Sequence, residues 1–368
     1  MKGESFNRIT VDAAALAANY YALTERAGDI PLMAMVKGDG YGHGMVYAAR
    51  AFAGAGCHRF GVAELCEGVE LRRAGIEGMI LITTCFGNED ASFFYDFDLT
   101  PVISTSAQAA LLEAEGAARK DELEVHLKVN TGMGRLGLWP EEVESFAAGL
   151  AEFPHLKIAG VMSHFPEADI PGSPSTAEAL MKFKKVAAGL KERYGVIRHI
   201  ANSGALFNHP EAYCDMIRVG IALYGCHPAG LAHDGLVPAM RFSSRIIQVK
   251  DFPAGSAISY GRTFITEKPT RIAVIPVGYE DGLNRHLSNG GEVLTGGRRV
   301  QICGRICMNI SMLDVSDMEV KVGDEVVLLG RQGEECISAD EVAKVLDTIS
   351  YEVLCIYGHA NKHFSSAE

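Results

Sequence analysis

The feature that most constrains this chain is a regular alternation of short apolar runs with helical patterns, from Ile9 to about Gly225. Runs at 31–36, 60–63, 79–84, 99–104, 124–129, 157–163, 199–201 and 216–224 have the nearly continuous apolar character of strands covered on both faces. Helical patterns lie among them at 45–54, 64–74, 106–118, 140–153 and 175–194, and one over 13–26 that Asp12 can cap precedes the first run. About eight strand–helix alternations in about 220 residues predict a (β/α)8 TIM-type barrel within an α/β fold. An open doubly wound sheet is the competitor, but no GxGxxG turn follows the first strand.

Past about Pro228 the pattern changes. Strand-like stretches at 240–249, 271–276, 292–294, 299–302, 310–315 and 325–329 are broken by glycine turns such as Thr295-Gly296-Gly297, and only 338–346 reads as helical. The prediction is a barrel over 1–233 followed by a mostly β domain over 234–368, with 229–235 as hinge. A length of 368 residues suits two domains. A net charge of −12 without a basic stripe argues against a nucleic-acid partner. No run approaches the length of a membrane span and no apolar leader follows Met1, so a cytoplasmic protein without a membrane partner is expected. Nine cysteines without a CxxC pair read as reduced thiols, and no metal is expected.

Chemistry concentrates where the first barrel run stops, at Val36-Lys37-Gly38-Asp39-Gly40-Tyr41-Gly42-His43-Gly44. A lysine at the carboxyl end of a buried strand, before glycines that let backbone approach closely, is placed to form a Schiff base with an aldehyde cofactor. The plainer alternative is a surface charge. The late strands decide between them, because barrels hold phosphate in the loops after strands seven and eight. Ala201-Asn202-Ser203-Gly204 puts Ser203 at a strand end ahead of a helix, and Arg218-Val219-Gly220-Ile221 brings an arginine and a glycine amide to the neighbouring strand. Ser203 alone reads as a helix cap. Together with Lys37 the two segments point to pyridoxal 5'-phosphate.

The run Ala34-Met35-Val36-Lys37-Gly38-Asp39-Gly40-Tyr41-Gly42-His43-Gly44 resembles the cofactor-attachment signature of the alanine racemase family. The resemblance extends through Lys128-Val129-Asn130-Thr131-Gly132-Met133-Gly134-Arg135, Met162-Ser163-His164-Phe165, Ala201-Asn202-Ser203, Arg218-Val219-Gly220-Ile221, Ser259-Tyr260-Gly261, Gly278-Tyr279, Gly304-Arg305-Ile306-Cys307-Met308 and Ser350-Tyr351-Glu352. It implies racemisation of L- and D-alanine by two bases, Lys37 on one face and Tyr260 on the other. The tyrosine would come from the second subunit of a head-to-tail homodimer with shared active sites. A racemase needs a base on each face of the reacting carbon, and a phenol of pKa about 10 needs nearby donors or cations to serve. The resemblance also implies that Arg218 faces the cofactor's ring nitrogen and that His164 bonds Arg218. A guanidinium donates there without giving up its proton, which keeps the ring a weaker electron sink and disfavours transamination. Arg135 would contact the cofactor's phenolic oxygen and the substrate carboxylate, and the Met308 backbone that carboxylate as well. Tyr41, Ser203, Gly220, Ile221 and Tyr351 fit the phosphate set, Tyr279 and Cys307 are supporting residues, and Lys128 is a candidate for carbamylation.

Three positions depart from the family's pattern. Asn309 stands where aspartate is usual, near the substrate side chain, so serine is expected to be accepted beside alanine, with serine as main substrate the alternative. Leu283 replaces a common aromatic, and the segment 359–363 lacks the usual Arg-x-Pro-Arg. Rival readings are an amino acid decarboxylase of the same architecture and a non-catalytic cofactor carrier. The β domain with Tyr260 in it speaks against the carrier.

Overall fold

A computed structural model describes residues 5–84, 86–87, 91–230, 235–359 and 362–365. After strand β1 (Arg8–Asp12) the chain forms eight short parallel strands: β2 (Leu32–Met35), β3 (Arg59–Val62), β4 (Met79–Ile82), β5 (Thr100–Ile103), β6 (Leu123–Lys128), β7 (Leu156–Met162), β8 (Ile197–His199) and β9 (Ile217–Val219). They follow one another around a barrel in which β2 pairs with both β3 and β9. Backbone bonds from Asp215 to Arg198 and from Arg218 to Ala201, both 3.0 Å, link β8 to β9. The strands are buried almost throughout, as their continuous apolar runs require. The outer helices start where their caps do. Asp12 accepts from the amides of Ala14 and Ala15 at the head of Ala13–Ala27, and Glu64 with Glu67 forms a capping box on Leu65–Arg73. The fold is a (β/α)8 barrel followed by a mostly β region.

The alternation is not all barrel. β1 pairs antiparallel with Met240–Arg245, Ile9 facing Phe242, and parallel with Lys362–Ser365, so the first strand belongs to the second region's sheet. That sheet runs Arg298–Gln301, Glu292–Thr295, Glu325–Gln332, Met240–Arg245, β1, Lys362–Ser365, with Glu335–Ile337 added on Glu325–Gln332. The stretch expected as one strand over 240–249 breaks after Arg245. Its second half, Gln248–Phe252, joins Thr270–Ile275 and Ser311–Asp314 in a separate sheet. The expectation of a single helix here is also corrected. Ser350–Tyr357 is helical beside Ala339–Leu346, its apolar side buried by Val353, Leu354 and Tyr357. In the barrel, Ala91–Asp96 is a helix that periodicity did not reveal, and the run 216–224 divides into β9 and a 3-10 turn, Ile221–Tyr224. Residues 231–234 of the expected hinge and 360–361 of the C-terminal departure lie outside the described residues.

One continuous apolar core joins the barrel to the larger β sheet. Asn7 adds polar ties within the β region: its amide donates to the Pro276 carbonyl (2.7 Å) and to Asp281 (2.8 Å), and its oxygen accepts from Ser244 (2.7 Å).

Candidate active site

The lysine turn is built by left-handed backbone. Gly38, Asp39, Gly40 and Tyr41 have φ of 62°, 53°, 63° and 52°, a run of conformations that L side chains adopt only when held. Two contacts hold it: the Asp39 carboxylate accepts from the Met45 amide (2.8 Å) at the start of Met45–Gly54, and the Gly38 amide donates to Glu67 (2.7 Å). Helix Ser350–Tyr357 packs directly on the turn, since a Cβ at Gly42 would collide with the Leu354 carbonyl. The sequence therefore places Lys37 where β2 ends, with little freedom in the chain behind it.

Around it opens a cavity of about 610 Å³ at the carboxyl ends of the barrel strands, lined by Lys37, Tyr41, Lys128, Arg135, His164, Asn202, Ser203, Arg218, Gly220, Ile221 and Tyr351, among others. Four of the described lining side chains are cationic and none is a carboxylate. Burial, then Arg135 and Arg218, push the Lys37 amine below its ordinary pKa. Burial and the neighbouring Arg218, Arg135 and Lys37 bring Lys128 down to about 7. Buried Arg218 is lowered to about 10 and stays protonated at neutral pH. One guanidinium nitrogen donates to His199 Nδ1 (3.0 Å) and the His199 carbonyl (2.8 Å), the other to the Ser163 carbonyl (2.6 Å) and His164 Nδ1 (3.3 Å). Its partners are all neutral. Such concentrated, unneutralised positive charge is costly unless an anion joins it.

The phosphate-type cradle has a different origin from the one periodicity suggested. Asn202, not Ser203, caps the short helix Ser203–Asn208, accepting from the Ala205 amide at 3.0 Å. Ser203 is left to accept from the Gly220 amide (3.0 Å), which joins the ends of β8 and β9. Glycine at 220 leaves room for Tyr41, because a Cβ there would strike the Tyr41 hydroxyl. Tyr41 is stacked on Tyr224 at 4.9 Å and lies 6.0 Å from the Tyr351 ring. A lysine of depressed pKa, three further basic side chains in a described lining without carboxylates, and a cradle closed at Gly220 fit an aldehyde bearing a phosphate. The pocket also includes Thr83, Thr84, Met133 and Leu136, which the sequence reading passed over. The threonines follow the end of β4, so the strand-end rule was the signal available for them.

Five candidates do not line this cavity. Tyr260, Tyr279, Cys307, Met308 and Asn309 gather elsewhere, on the β region. The Ser259 hydroxyl donates to the Arg305 carbonyl (2.5 Å), the Tyr279 amide to Cys307 (3.1 Å), the Glu280 amide to Met308 (3.0 Å), and the Asn309 amide side chain to Glu280 (2.7 Å). Tyr260 is 69% exposed on a turn strained by positive φ at Ser259 and Arg262. One chain thus carries two separate patches, a cationic pocket and an exposed tyrosine surface.

Barrel, lysine and cation-lined cradle together define an enzyme that holds a phosphorylated aldehyde at the strand ends. The chain belongs to the alanine racemase family: residues 11–228 match its N-terminal domain and residues 239–364 its C-terminal domain. It is 44% identical over 351 residues to the alanine racemase of Symbiobacterium thermophilum, covering 94% of this chain and 93% of that one. Among solved structures it resembles the alanine racemase of Streptomyces lavendulae, with a TM-score of 0.94 and 34% identity over 100% and 99% of the two chains. It also resembles that of Bartonella henselae, solved with covalently bound pyridoxal phosphate, with a TM-score of 0.90 and 28% identity over 98% and 100%. Among the described residues no helix is long and apolar enough to cross a membrane.

Proposed function

We propose that the protein interconverts L- and D-alanine with pyridoxal phosphate, Lys37 and a partner subunit's Tyr260 acting on opposite faces of the substrate. The observation that carries this reading is the Lys37 amine, depressed in pKa, in a pocket whose described lining has no carboxylate. When bound, pyridoxal phosphate draws electron density from the substrate α-carbon and so acidifies its hydrogen. Lys37 would hold the cofactor through its amine and would move a proton at the substrate α-carbon on its side. Tyr260 moves one on the other side. Arg218 would donate to the ring nitrogen while keeping its proton, with His164 beside it. Tyr41, Ser203, Gly220, Ile221 and Tyr351 hold the phosphate, and Arg135 with the Met308 backbone orients the substrate carboxylate. Tyr279 and Cys307 support the Met308 loop through the bonds described above. Borohydride added to the cofactor-loaded protein should fix an adduct on Lys37, and a protein that stays colourless and unlabelled overturns the reading.

Exposure supports the shared site. Tyr260, Met308, Tyr279, Ile265 and Ile310 are large apolar or aromatic groups left open on the β region, a surface that a second copy in head-to-tail arrangement would cover.

Lys128 is the proposed carbamylation site, because only a neutral amine adds carbon dioxide, and its neighbours bring its pKa to about 7. The resulting anion would lie among Lys37, Arg135 and Arg218 and offset their repulsion. Incubation with 13C-bicarbonate should give one carbamate resonance that falls as pH drops below 7, where the amine takes up a proton, and that Lys128→Arg abolishes. No resonance at pH 8 refutes the assignment.

Asn309 supports serine as a second substrate. Its Nδ2 is engaged by Glu280, which leaves a neutral amide where the family usually has a charge. Serine kcat/KM should be at least about one hundredth of that for alanine, the range a small pocket difference spans. A lower ratio removes the proposal.

A further inference from the structure

Two buried histidines behind Arg218 are not used by the reaction just described. His199 Nε2 lies 2.9 Å from His126 Nδ1, and His199 Nδ1 lies 3.0 Å from the Arg218 guanidinium. Both rings are fully buried inside the barrel, at 0% exposure. An arginine can only donate. His199 Nδ1 must therefore present a lone pair, so the proton of a neutral His199 sits on Nε2. That proton can go only to His126 Nδ1, which puts the His126 proton on its own Nε2. His126 Nε2 is buried and has no hydrogen-bond partner among the described residues. The chain ends there.

We propose that His199 and His126 are positioning residues: as neutral rings, each protonated on Nε2, they hold Arg218 in place as a permanent hydrogen-bond donor to the cofactor ring. This rests on the reading above in which Arg218 faces that ring. Three observations make the arrangement rigid. β7 supplies Gly160, where a Cβ would overlap the His126 ring, so the glycine exists as room for the imidazole. The charged groups acting on His199 are Arg218 and Lys128, and on His126 Arg218 alone. All are cations, which together with burial disfavour an imidazolium at either ring. Finally, among the described residues no carboxylate is bonded to this row, so no anion in it favours a charged imidazole. An Asp or Glu at the far end would allow one histidine to charge and turn its other nitrogen into a competing donor.

The test uses the full-length, cofactor-loaded enzyme with 15N-labelled histidine. At neutral pH the resonances lost in His199→Asn and in His126→Asn should each be those of a neutral ring protonated on Nε2. A charged ring, or one protonated on Nδ1, overturns the proposal whether or not the protein racemises alanine, whereas the expected shifts in an inactive protein would fault the reaction and leave the row of histidines standing. Activity gives the second arm. His199→Leu should lower kcat about tenfold with KM changed less than about twofold, the signature of a group that acts on the reacting complex rather than on binding. His199→Asn, whose Oδ1 can replace Nδ1 as acceptor, should recover most of that loss. Equal losses in the two variants, or an effect on KM alone, would show a merely structural role. If His199→Leu does not fold, Gly160→Ala takes its place: by displacing His126 it should lower kcat about threefold at unchanged KM, and unchanged kcat counts against the proposal.

Discussion

Lys37→Ala is expected to lower racemisation by about 10⁴-fold or more, because one substitution removes both the covalent anchor and one proton carrier. The variant should bind pyridoxal phosphate without a borohydride-stable adduct. It should also remain folded. Lys37 is one of four cations in a pocket whose described lining has no carboxylate, and burial with Arg135 and Arg218 already disfavours its charged form. Removing that charge relieves repulsion, so the cofactor-free variant should melt no lower than the cofactor-free parent. Turnover above about one hundredth of the parent would exceed what a missing general base allows and would remove Lys37 from its proposed role.

Tyr260→Phe is the second large effect. Loss of one hydroxyl should lower kcat by about 10²–10⁴-fold while the cofactor stays attached, since Tyr260 lines no part of the pocket in its own chain. The two variants together test the shared site. In a mixed dimer of Lys37→Ala and Tyr260→Phe chains, one site carries both changes and the other carries neither. Equal mixing with free exchange should therefore restore about a quarter of the parental specific activity, as half the dimers are mixed and each has one intact site. If both groups came from one chain, mixing would restore nothing. A mixture as inactive as its components, with exchange verified, would place both groups of each site on one chain.

Much of this was legible in residue order. Lys37 stood out because a lone cation ends a buried strand before a run of glycines, and Arg218 and Gly220 because they end a late strand of a predicted barrel. Ser203 was visible as a strand-end residue, but its partner was not. In isolation it reads as a helix cap, and only the fold gives the cap to Asn202 and turns Ser203 toward the Gly220 amide. The expected barrel domain began at residue 1, yet β1 joins the second region's sheet, because nothing local says which sheet a strand will join. Helix Ser350–Tyr357 escaped notice because its apolar residues surround most of the helix, leaving a weak 3.6-residue pattern, yet it supplies Tyr351 and the floor under the lysine turn.

Residue order alone determined the barrel, the lysine that ends its first strand, and the chemistry of a phosphorylated aldehyde, because each depends on local periodicity or on a side chain next to its own strand end. The tertiary structure alone decided that four basic side chains meet in a cavity whose described lining has no carboxylate, that two histidines stand in line behind Arg218, and that Tyr260 faces outward on another surface. Those are distances between residues tens or hundreds of positions apart, set by how the strands close around the barrel and by which sheet takes up β1. A linear pattern carries no term for either.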